Sequence, residues 1–211
     1  MKNICGLFLV FLLSACQSSW IADLVTPAGR ALYHDDFSDP SSGWRETVSQ
    51  NGSLGYSDGA YRILVQSAGY DLWAVSGQTY GDVQIEADVT RLAGPLNNRF
   101  GLICRFQDIN NFYVFFISSD GYYSIGKIKN GTASLLGQAM MAYNSFIQQG
   151  GGPNHLRFDC IGNTLKGTVN GQVLAITSDA DFSGGDAGFI AGAFDESGVE
   201  VSFDNFVVYQ P

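Results

Sequence analysis

The sequence predicts an all-β protein folded as a two-sheet antiparallel sandwich. Glycine is abundant, with 26 residues among 211, whereas lysine and arginine together number only 11. From Tyr33 onward, no stretch of about a dozen residues places apolar side chains at helical spacing, and many segments alternate apolar with polar residues. Many short strands without intervening helices indicate an antiparallel sandwich or jelly roll.

Eleven segments are predicted as strands because they are rich in β-branched and aromatic residues and are bounded by glycine, asparagine or aspartate. They are residues 60–66, 71–76, 82–92, 100–107, 112–119, 122–127, 155–161, 164–170, 173–178, 187–194 and 199–209.

Turn dipeptides separate several of these strands. Asp120-Gly121 and Asn170-Gly171 are typical of two-residue hairpins, and Asp58-Gly59 and Asn130-Gly131 predict further turns. Residues 138–149 come nearest to a helical pattern, but their spacing suits a long loop equally well.

The first fifteen residues have the three zones of a signal peptide. Lys2 supplies a positive charge, residues 4–13 are almost continuously apolar, and Leu13-Ser14-Ala15-Cys16 ends the run with small residues. A membrane span takes about 20 apolar residues, so this stretch is too short to cross a bilayer. An ordinary secretory signal with an incidental cysteine is the alternative.

The residues Leu13-Ser14-Ala15-Cys16 resemble the bacterial lipobox, which implies cleavage before Cys16 and acylation of its thiol. Gln17 after the cysteine resembles an outer-membrane signal in diderm bacteria of the enteric type. The predicted organisation is a leader over residues 1–15, a lipidated N-terminus and tether over 16–32, and a sandwich over 33–211. The predicted location is the cell envelope, outside the cytoplasm.

The charge of the chain argues against one class of partner. The net charge is −9, and cleavage of the leader removes Lys2 alone among charged residues, leaving −10. Nucleic-acid binding depends on Lys and Arg that neutralise phosphates, so this class is excluded. Because anionic lipid would not attract such a surface, we expect the acyl chains to provide the membrane attachment.

Two cysteines remain in the mature chain besides Cys16. Cys104 alternates in phase with Leu102, and Cys160 alternates in phase with Phe158, so both sulfurs are predicted to face the core. Export from the cytoplasm permits oxidation. A Cys104–Cys160 disulfide and a pair of buried free thiols both fit this pattern.

Five motifs stand out between about Tyr33 and Pro211. They are Asp35-Asp36-Phe37-Ser38-Asp39-Pro40 with Ser42-Gly43-Trp44, Asp108-Ile109-Asn110-Asn111-Phe112-Tyr113, Asp120-Gly121-Tyr122-Tyr123, Gly167-Thr168-Val169-Asn170-Gly171 and Phe203-Asp204-Asn205-Phe206. In these motifs the chain resembles the concanavalin A-like lectin/glucanase (LamG-like) sandwiches of exported bacterial proteins. The resemblance implies two curved antiparallel sheets, with a concave face that holds carbohydrate in many relatives. It is specific for the fold and weak for activity.

A glucanase of this group would need two carboxylates on one strand face, in a pattern resembling Glu-x-Asp-x-(x)-Glu. Glu86 and Asp88 are the nearest match and should share a solvated face. The second glutamate is absent, because Thr90 and Arg91 occupy its place. Two carboxylates at this spacing are also ordinary surface charges, so the sequence does not require an enzyme.

Binding residues are predicted from side chains that suit sugars, which are held by aromatic rings and planar polar groups. The candidates are Trp73, Arg105, Tyr113, Tyr122 and Tyr123. Arg105 is expected outside the core because it alternates away from Cys104. The alternative for each aromatic is packing in the core or across strands.

A structural calcium ion is a further expectation. Asp36, Asp204 and Asn205 would come together if the first and last strands pair, and calcium takes six to eight oxygen ligands. These side chains would equally suit turns and caps.

The leading prediction is therefore a lipid-anchored, non-catalytic sandwich that binds carbohydrate or another cell-envelope ligand. A glycoside-acting hydrolase and a structural envelope protein without a small ligand are the alternatives.

Overall fold

A computed structural model of the protein describes residues 29–211. Within that range every regular element is a β-strand, so the region has no helix long and apolar enough to cross a membrane. The predicted leader, the lipidation site Cys16 and most of the tether lie outside the described residues and stay predictions.

The sixteen strands are β1 (Ala31–Asp35), β2 (Thr47–Ser49), β3 (Gly52–Ser57), β4 (Ala60–Val65), β5 (Asp71–Val75), β6 (Val83–Ala93), β7 (Asn98–Asp108), β8 (Asn111–Ile117), β9 (Tyr122–Lys129), β10 (Thr132–Leu136), β11 (Ala142–Tyr143), β12 (Asn154–Ile161), β13 (Thr164–Val169), β14 (Gln172–Ser178), β15 (Asp186–Ala193) and β16 (Val199–Tyr209).

These strands form two antiparallel sheets that pack as a jelly-roll sandwich. The first sheet has the order β14-β13-β12-β6-β16-β4-β3-β2, and β1 also pairs with β16. The second sheet has the order β10-β9-β8-β7-β15-β5, and β11 also pairs with β9. The predicted fold class is confirmed, as is the pairing of the first and last strands.

The core lies between the sheets because each long strand turns its apolar residues to one side. On β6, Val83, Ile85, Ala87 and Val89 are buried, as their alternation predicts. The aromatic centre of the core is Phe189, whose ring stacks between two others: its centroid lies 4.7 Å from that of Trp44 and 4.4 Å from that of Phe203. Residues 31–209 form both sheets and the described core, so this segment contains what the sandwich needs to fold.

A disulfide bond joins the two sheets through this core. Cys104 on β7 is bonded to Cys160 on β12 with an S–S distance of 1.99 Å, and both residues are fully buried. The predicted pairing is confirmed, and the alternative of two free thiols is excluded.

The predicted turns occur at all four dipeptides, with two different backbone conformations. Asp58-Gly59, Asn130-Gly131 and Asn170-Gly171 each place both residues at positive φ, as type I′ hairpins require. At Asp120-Gly121 only the glycine has a positive φ, of 96°. This turn therefore has a different shape, and it lies beside the cleft described below.

Five strands escaped prediction, namely β1, β2, β3, β10 and β11. β2 has only three residues and β11 only two, so alternation of apolar and polar residues cannot be recognised in them. The strand β3 reads Gly-Ser-Leu-Gly-Tyr-Ser, and glycine and serine have little intrinsic preference for strands. Pairing with β4 holds it in place.

We expect the disulfide to stabilise the domain considerably. Its half-cystines are 56 residues apart, and closing a loop of this length restricts the unfolded chain by about 4 kcal/mol. Cys104→Ala, Cys160→Ala and the double variant should all lower the free energy of unfolding by a similar amount in urea titrations. A double variant as stable as the oxidised protein would contradict this role.

A candidate binding cleft at the end of the second sheet

The outer face of the second sheet carries an apolar cluster that is separate from the core. Ile103, Phe112, Val114 and Ile190 are buried there, and four partly buried side chains pack against them: Trp73, Phe106, Phe116 and Ile128. This face is the one turned away from the first sheet, because the alternate residues of the same strands belong to the core.

A cleft of about 440 Å³ opens at one end of this face. It is lined by side chains from four connections and strand ends: Asn97, Ser118, Asp120, Tyr122, Met140, Met141, Phe194 and Asp195. The chain therefore assembles the cleft from segments that are far apart in sequence.

Asn98 fixes two of these segments to each other. Its side chain is fully buried and donates to the carbonyl oxygen of Pro95 at 2.7 Å and to Oγ of Ser119 at 2.9 Å. The same side chain accepts a hydrogen bond from the backbone N–H of Ser119 at 3.0 Å. The β6–β7 turn and the β8–β9 turn are thus locked together below the cleft.

The loop of residues 137–153 forms another wall. Tyr143 lies against Gly121, where a Cβ atom would approach the tyrosine ring to 2.8 Å. The backbone N–H of Asn144 donates to the carbonyl of Gly121, and that of Gly150 donates to the carbonyl of Ser119. Ile147 is buried in the core and anchors the loop. These contacts attach the loop to the β8–β9 turn and to the core.

Phe194 is held in the cleft by a charge network. The guanidinium of Arg99 lies 4.5 Å from the centre of the Phe194 ring. Arg99 is oriented in turn by two hydrogen bonds to the carboxylate of Asp71, of 2.7 and 3.0 Å. A cation over a ring and a bidentate carboxylate pair both restrict side-chain freedom.

The polar groups of the cleft are carboxylates, an amide and hydroxyls, and none of them is a cation. Asp120 accepts a hydrogen bond from the hydroxyl of Ser118, and the side chains of Asp195 and Asn97 are exposed. No Lys or Arg occurs among the described residues that line the cleft. Carboxylate and amide oxygens beside an aromatic ring suit a neutral molecule rich in hydroxyl groups.

Two of the predicted binding residues lie on the outer face. Tyr122 lines the cleft, with 40 % of its surface exposed, and its ring meets that of Tyr143 edge-on at 5.7 Å. Trp73 packs on Phe112 and lines a different cleft, beside Tyr70 at the β5 edge of the second sheet.

The expectation that Arg105 lies outside the core is wrong. Its side chain is only 2 % exposed and donates to the carbonyl oxygens of Phe182 and Gly162 and to the carboxylate of Asp82. The register of β7 shifts after Cys104, and Arg105 has a φ of 51°. Because this bulge turns the side chain, simple alternation fails here.

Tyr113 and Tyr123 are likewise core residues rather than surface ones. Tyr113 pairs with Cys104 and is fully buried; its hydroxyl donates to Asp179 and accepts from the N–H of Phe182. Burial, together with the Asp179 carboxylate, raises the pKa of this phenol to about 12. Tyr123 packs against the core because its neighbour Tyr122 takes the outer face.

Several cleft residues were not predicted as binding residues. Asp120 was assigned only to a turn, and Met140 and Met141 only to a loop. Phe194 and Asp195 follow the end of a buried strand. A polar or aromatic residue just beyond a strand end is the one signal in the sequence that could have drawn attention to them.

The candidate catalytic pair Glu86 and Asp88 lies on the outer face of the first sheet, as predicted. Both carboxylates bind His155 on β12: Nδ1 lies 2.8 Å from Asp88 Oδ1, and Nε2 lies 3.5 Å from Glu86 Oε2. Hydrogen bonds that the imidazole donates to Glu86 and Asp88 raise the pKa of His155 to about 9, although burial opposes the shift. At neutral pH the pair therefore flanks a cation.

The three predicted calcium ligands are engaged elsewhere in hydrogen bonds. Asp36 accepts from Ser38, Asp204 accepts from the N–H of Asn205, and the amide of Asn205 donates to Asp88. Over residues 29–211 no group of three or more His, Cys, Asp or Glu side chains is placed to hold a metal ion. The structure offers no ligand set for calcium at these positions, and the ion stays a prediction.

Solved structures with the same fold include proteins of several activities. A carbohydrate-binding module, CBM66 from Bacillus subtilis, matches with a TM-score of 0.64 and 21 % identity, over 80 % of this chain and 96 % of its own. A β-glucanase from Bacillus licheniformis matches with a TM-score of 0.61 and 14 % identity, over 85 % of this chain and 97 % of its own.

A galectin-like protein of unknown function from Bacillus subtilis matches with a TM-score of 0.61 and 12 % identity, over 87 % of this chain and 97 % of its own. No protein-family model and no curated protein matches the sequence. At these identities the likeness establishes the concanavalin-like jelly-roll fold and nothing narrower.

The ion pairs of His155 predict a pH-dependent contribution to stability. Because its pKa is raised, the folded protein holds the proton more tightly than the unfolded chain does. The stabilisation is complete below the ordinary pKa of 6.5 and is lost as the pH rises through about 9. About half of the imidazole is exposed, so screening by water limits the effect to roughly 1 kcal/mol.

Urea unfolding of a His155→Gln variant tests this expectation. The variant should be less stable than the wild type at about pH 6 and equal to it at about pH 10. His34→Gln, a substitution at an exposed position of β1, is the control. An equal loss of stability at both pH values would show that the ion pairs do not contribute as described.

Proposed function

We propose that this protein is a lipid-anchored, non-catalytic module that binds neutral carbohydrate in the cleft at the end of the second sheet. The observation that carries the proposal is the composition of that cleft. It combines an exposed tyrosine ring with carboxylate and amide oxygens, and no cation lines it among the described residues.

Each of these groups has a counterpart on a sugar. The C–H faces of a pyranose pack on aromatic rings, here Tyr122 and Phe194, and the hydroxyls donate to oxygens such as those of Asp120 and Asp195. Pockets for small molecules typically combine an apolar lining with a few placed polar groups. Because the walls are fixed by Asn98 and the 137–153 loop, little ordering entropy opposes binding.

The fold is compatible with this proposal, since a carbohydrate-binding module is among the structural neighbours. That likeness does not locate a binding site in this chain. We assign carbohydrate binding to the cleft because of the residues that line it.

A second candidate is a glycoside hydrolase, because a β-glucanase also shares the fold. Such an enzyme needs one carboxyl that stays protonated as the acid and one that is ionised. Glu86 and Asp88 instead both bind the side chain of His155, so both carboxylates are already engaged within the protein. Binding without catalysis is therefore the stronger proposal, and a structural envelope role would follow if no glycan binds.

The lipid anchor is proposed from the lipobox-like Leu13-Ser14-Ala15-Cys16. Two acyl chains hold a protein stably at a membrane, whereas one holds it only marginally. An acidic binding domain tethered by a short segment would then capture glycans close to the envelope surface.

We expect Tyr122→Ala to weaken glycan binding about tenfold or more without unfolding the domain. An aromatic contact at the centre of a binding site typically contributes this much. The measurement is a glycan array with residues 29–211, followed by calorimetric titration of the glycans that bind. Circular dichroism of the variant checks its fold.

Tyr70→Ala is the matched control, because Tyr70 has a similar exposure and lines a different cleft. It should bind like the wild type. If no plant, algal or bacterial glycan binds the wild type, or if Tyr122→Ala and Tyr70→Ala behave alike, the proposal is wrong. Release of reducing sugar that disappears in Glu86→Gln would favour the hydrolase instead.

The anchor predicts that Cys16→Ser abolishes acylation of the full chain expressed in a bacterial host. Metabolic labelling with palmitate should mark the wild type and not the variant, and mass spectrometry should show the wild-type N-terminus at acylated Cys16. Labelling that is unchanged in Cys16→Ser would rule out this attachment site.

A further inference from the structure

A furrow on the outer face of the second sheet adjoins the cleft. It has a volume of about 190 Å³ and lies over β8, β9 and β10. The side chains that face it are Val114, Phe116, Ile128, Ala133 and Leu135. Lys127 and Ser134 also border the furrow, but their side chains point to the opposite face of the second sheet. On that face the Lys127 ammonium binds Asp179 and Asp181.

Gly126 keeps the floor of the furrow open. A Cβ atom at this position would lie 3.1 Å from the carbonyl oxygen of Ser134 and 3.7 Å from Cγ1 of Val114. Any side chain larger than hydrogen would therefore fill the space above β9, between β8 and β10. The furrow exists because this residue has no side chain.

The furrow and the cleft are adjacent along two strands. On β8, Phe116 borders the furrow and Ser118, two residues on, borders the cleft. Residues two apart on a strand share a face and lie about 7 Å apart. On β9, Ser124 lies between Tyr122 and Gly126, and its buried Oγ has no hydrogen-bond partner among the described residues.

The two parts of this surface suit different chemistry. Sugar hydroxyls buried in the furrow would find no polar side chain, and an unpaired buried hydroxyl is costly. A peptide would bring backbone N–H and C=O groups to the same apolar floor. An aliphatic chain, by contrast, gains from leaving water and needs no hydrogen bond.

We infer that the furrow holds an alkyl chain, so that the ligand is an amphiphile with a neutral, hydroxyl-rich head in the cleft and an aliphatic tail over β8–β10. This inference rests on the proposed function, because the cleft must bind the head. It narrows the ligand class from neutral carbohydrate to glycolipid-like molecules.

The test is calorimetric titration of residues 29–211 with hexyl, octyl and decyl β-glucosides and maltosides, kept below their micelle-forming concentrations. The affinity should rise roughly two- to fourfold with each added methylene until the furrow is filled. Leu135→Gln, a change at a partly exposed furrow residue, should remove this dependence on chain length.

Thr132→Gln is the matched control: it introduces the same side chain at an exposed position on the opposite face of β10, outside the furrow, and should keep the dependence. An affinity that does not change with chain length for either head group, or a dependence that survives Leu135→Gln, overturns the inference. If free glycans bind through Tyr122 but an alkyl tail does not increase the affinity, the inference about the furrow is wrong and the proposed function is still supported. A dependence on chain length that is unaffected by Tyr122→Ala contradicts a ligand shared between cleft and furrow.

Discussion

The packing of two sheets against each other is the interaction on which the rest of this molecule depends. Each long strand turns one set of side chains into the shared core, where the rings of Trp44, Phe189 and Phe203 stack and the Cys104–Cys160 bond crosses between sheets. Burial of apolar surface is the dominant favourable term in folding, so this layer fixes the register of every strand that contributes to it. The alternate side chains are thereby assigned to two outer faces.

The two outer faces have different chemistry. The first sheet presents a network of opposite charges around His155 and Arg157, in which Glu86, Asp88 and Asp159 each have a cationic partner. The second sheet presents an apolar surface that ends in a cleft with acidic and amide oxygens. Charged side chains that already bind one another are poorly placed to hold a neutral ligand. The polar and aromatic side chains of the cleft and the apolar side chains of the furrow are available to contact one. This contrast favours the second sheet as the location of the proposed ligand binding.

Alternation predicted most of the fold because it is a direct consequence of strand geometry. It placed both cysteines and the β6 residues Val83 and Ile85 in the core. It failed at Arg105, where a bulge reverses the side chain, since nothing in the local sequence distinguishes a bulge from a regular strand. It also missed β3, whose glycines and serines become a strand only through pairing with β4.

The candidate site was less predictable than the fold. Tyr122 was predicted among the aromatic residues that suit sugars, whereas Phe194 and Met140 reach the cleft through connections whose paths depend on tertiary contacts. Their proximity depends on Asn98, on Gly121 and on the Arg99–Asp71 pair, and no local pattern encodes these contacts.

The most direct test of where this protein binds its ligand is an NMR titration of ¹⁵N-labelled residues 29–211 with a glycan identified on the array. If the ligand binds in the cleft, signals from five lining residues should shift together with a single dissociation constant: the amides of Asn97, Ser118, Asp120, Tyr122 and Asp195. Shifts confined to the outer face of the first sheet, around Glu86 and His155, would contradict this location.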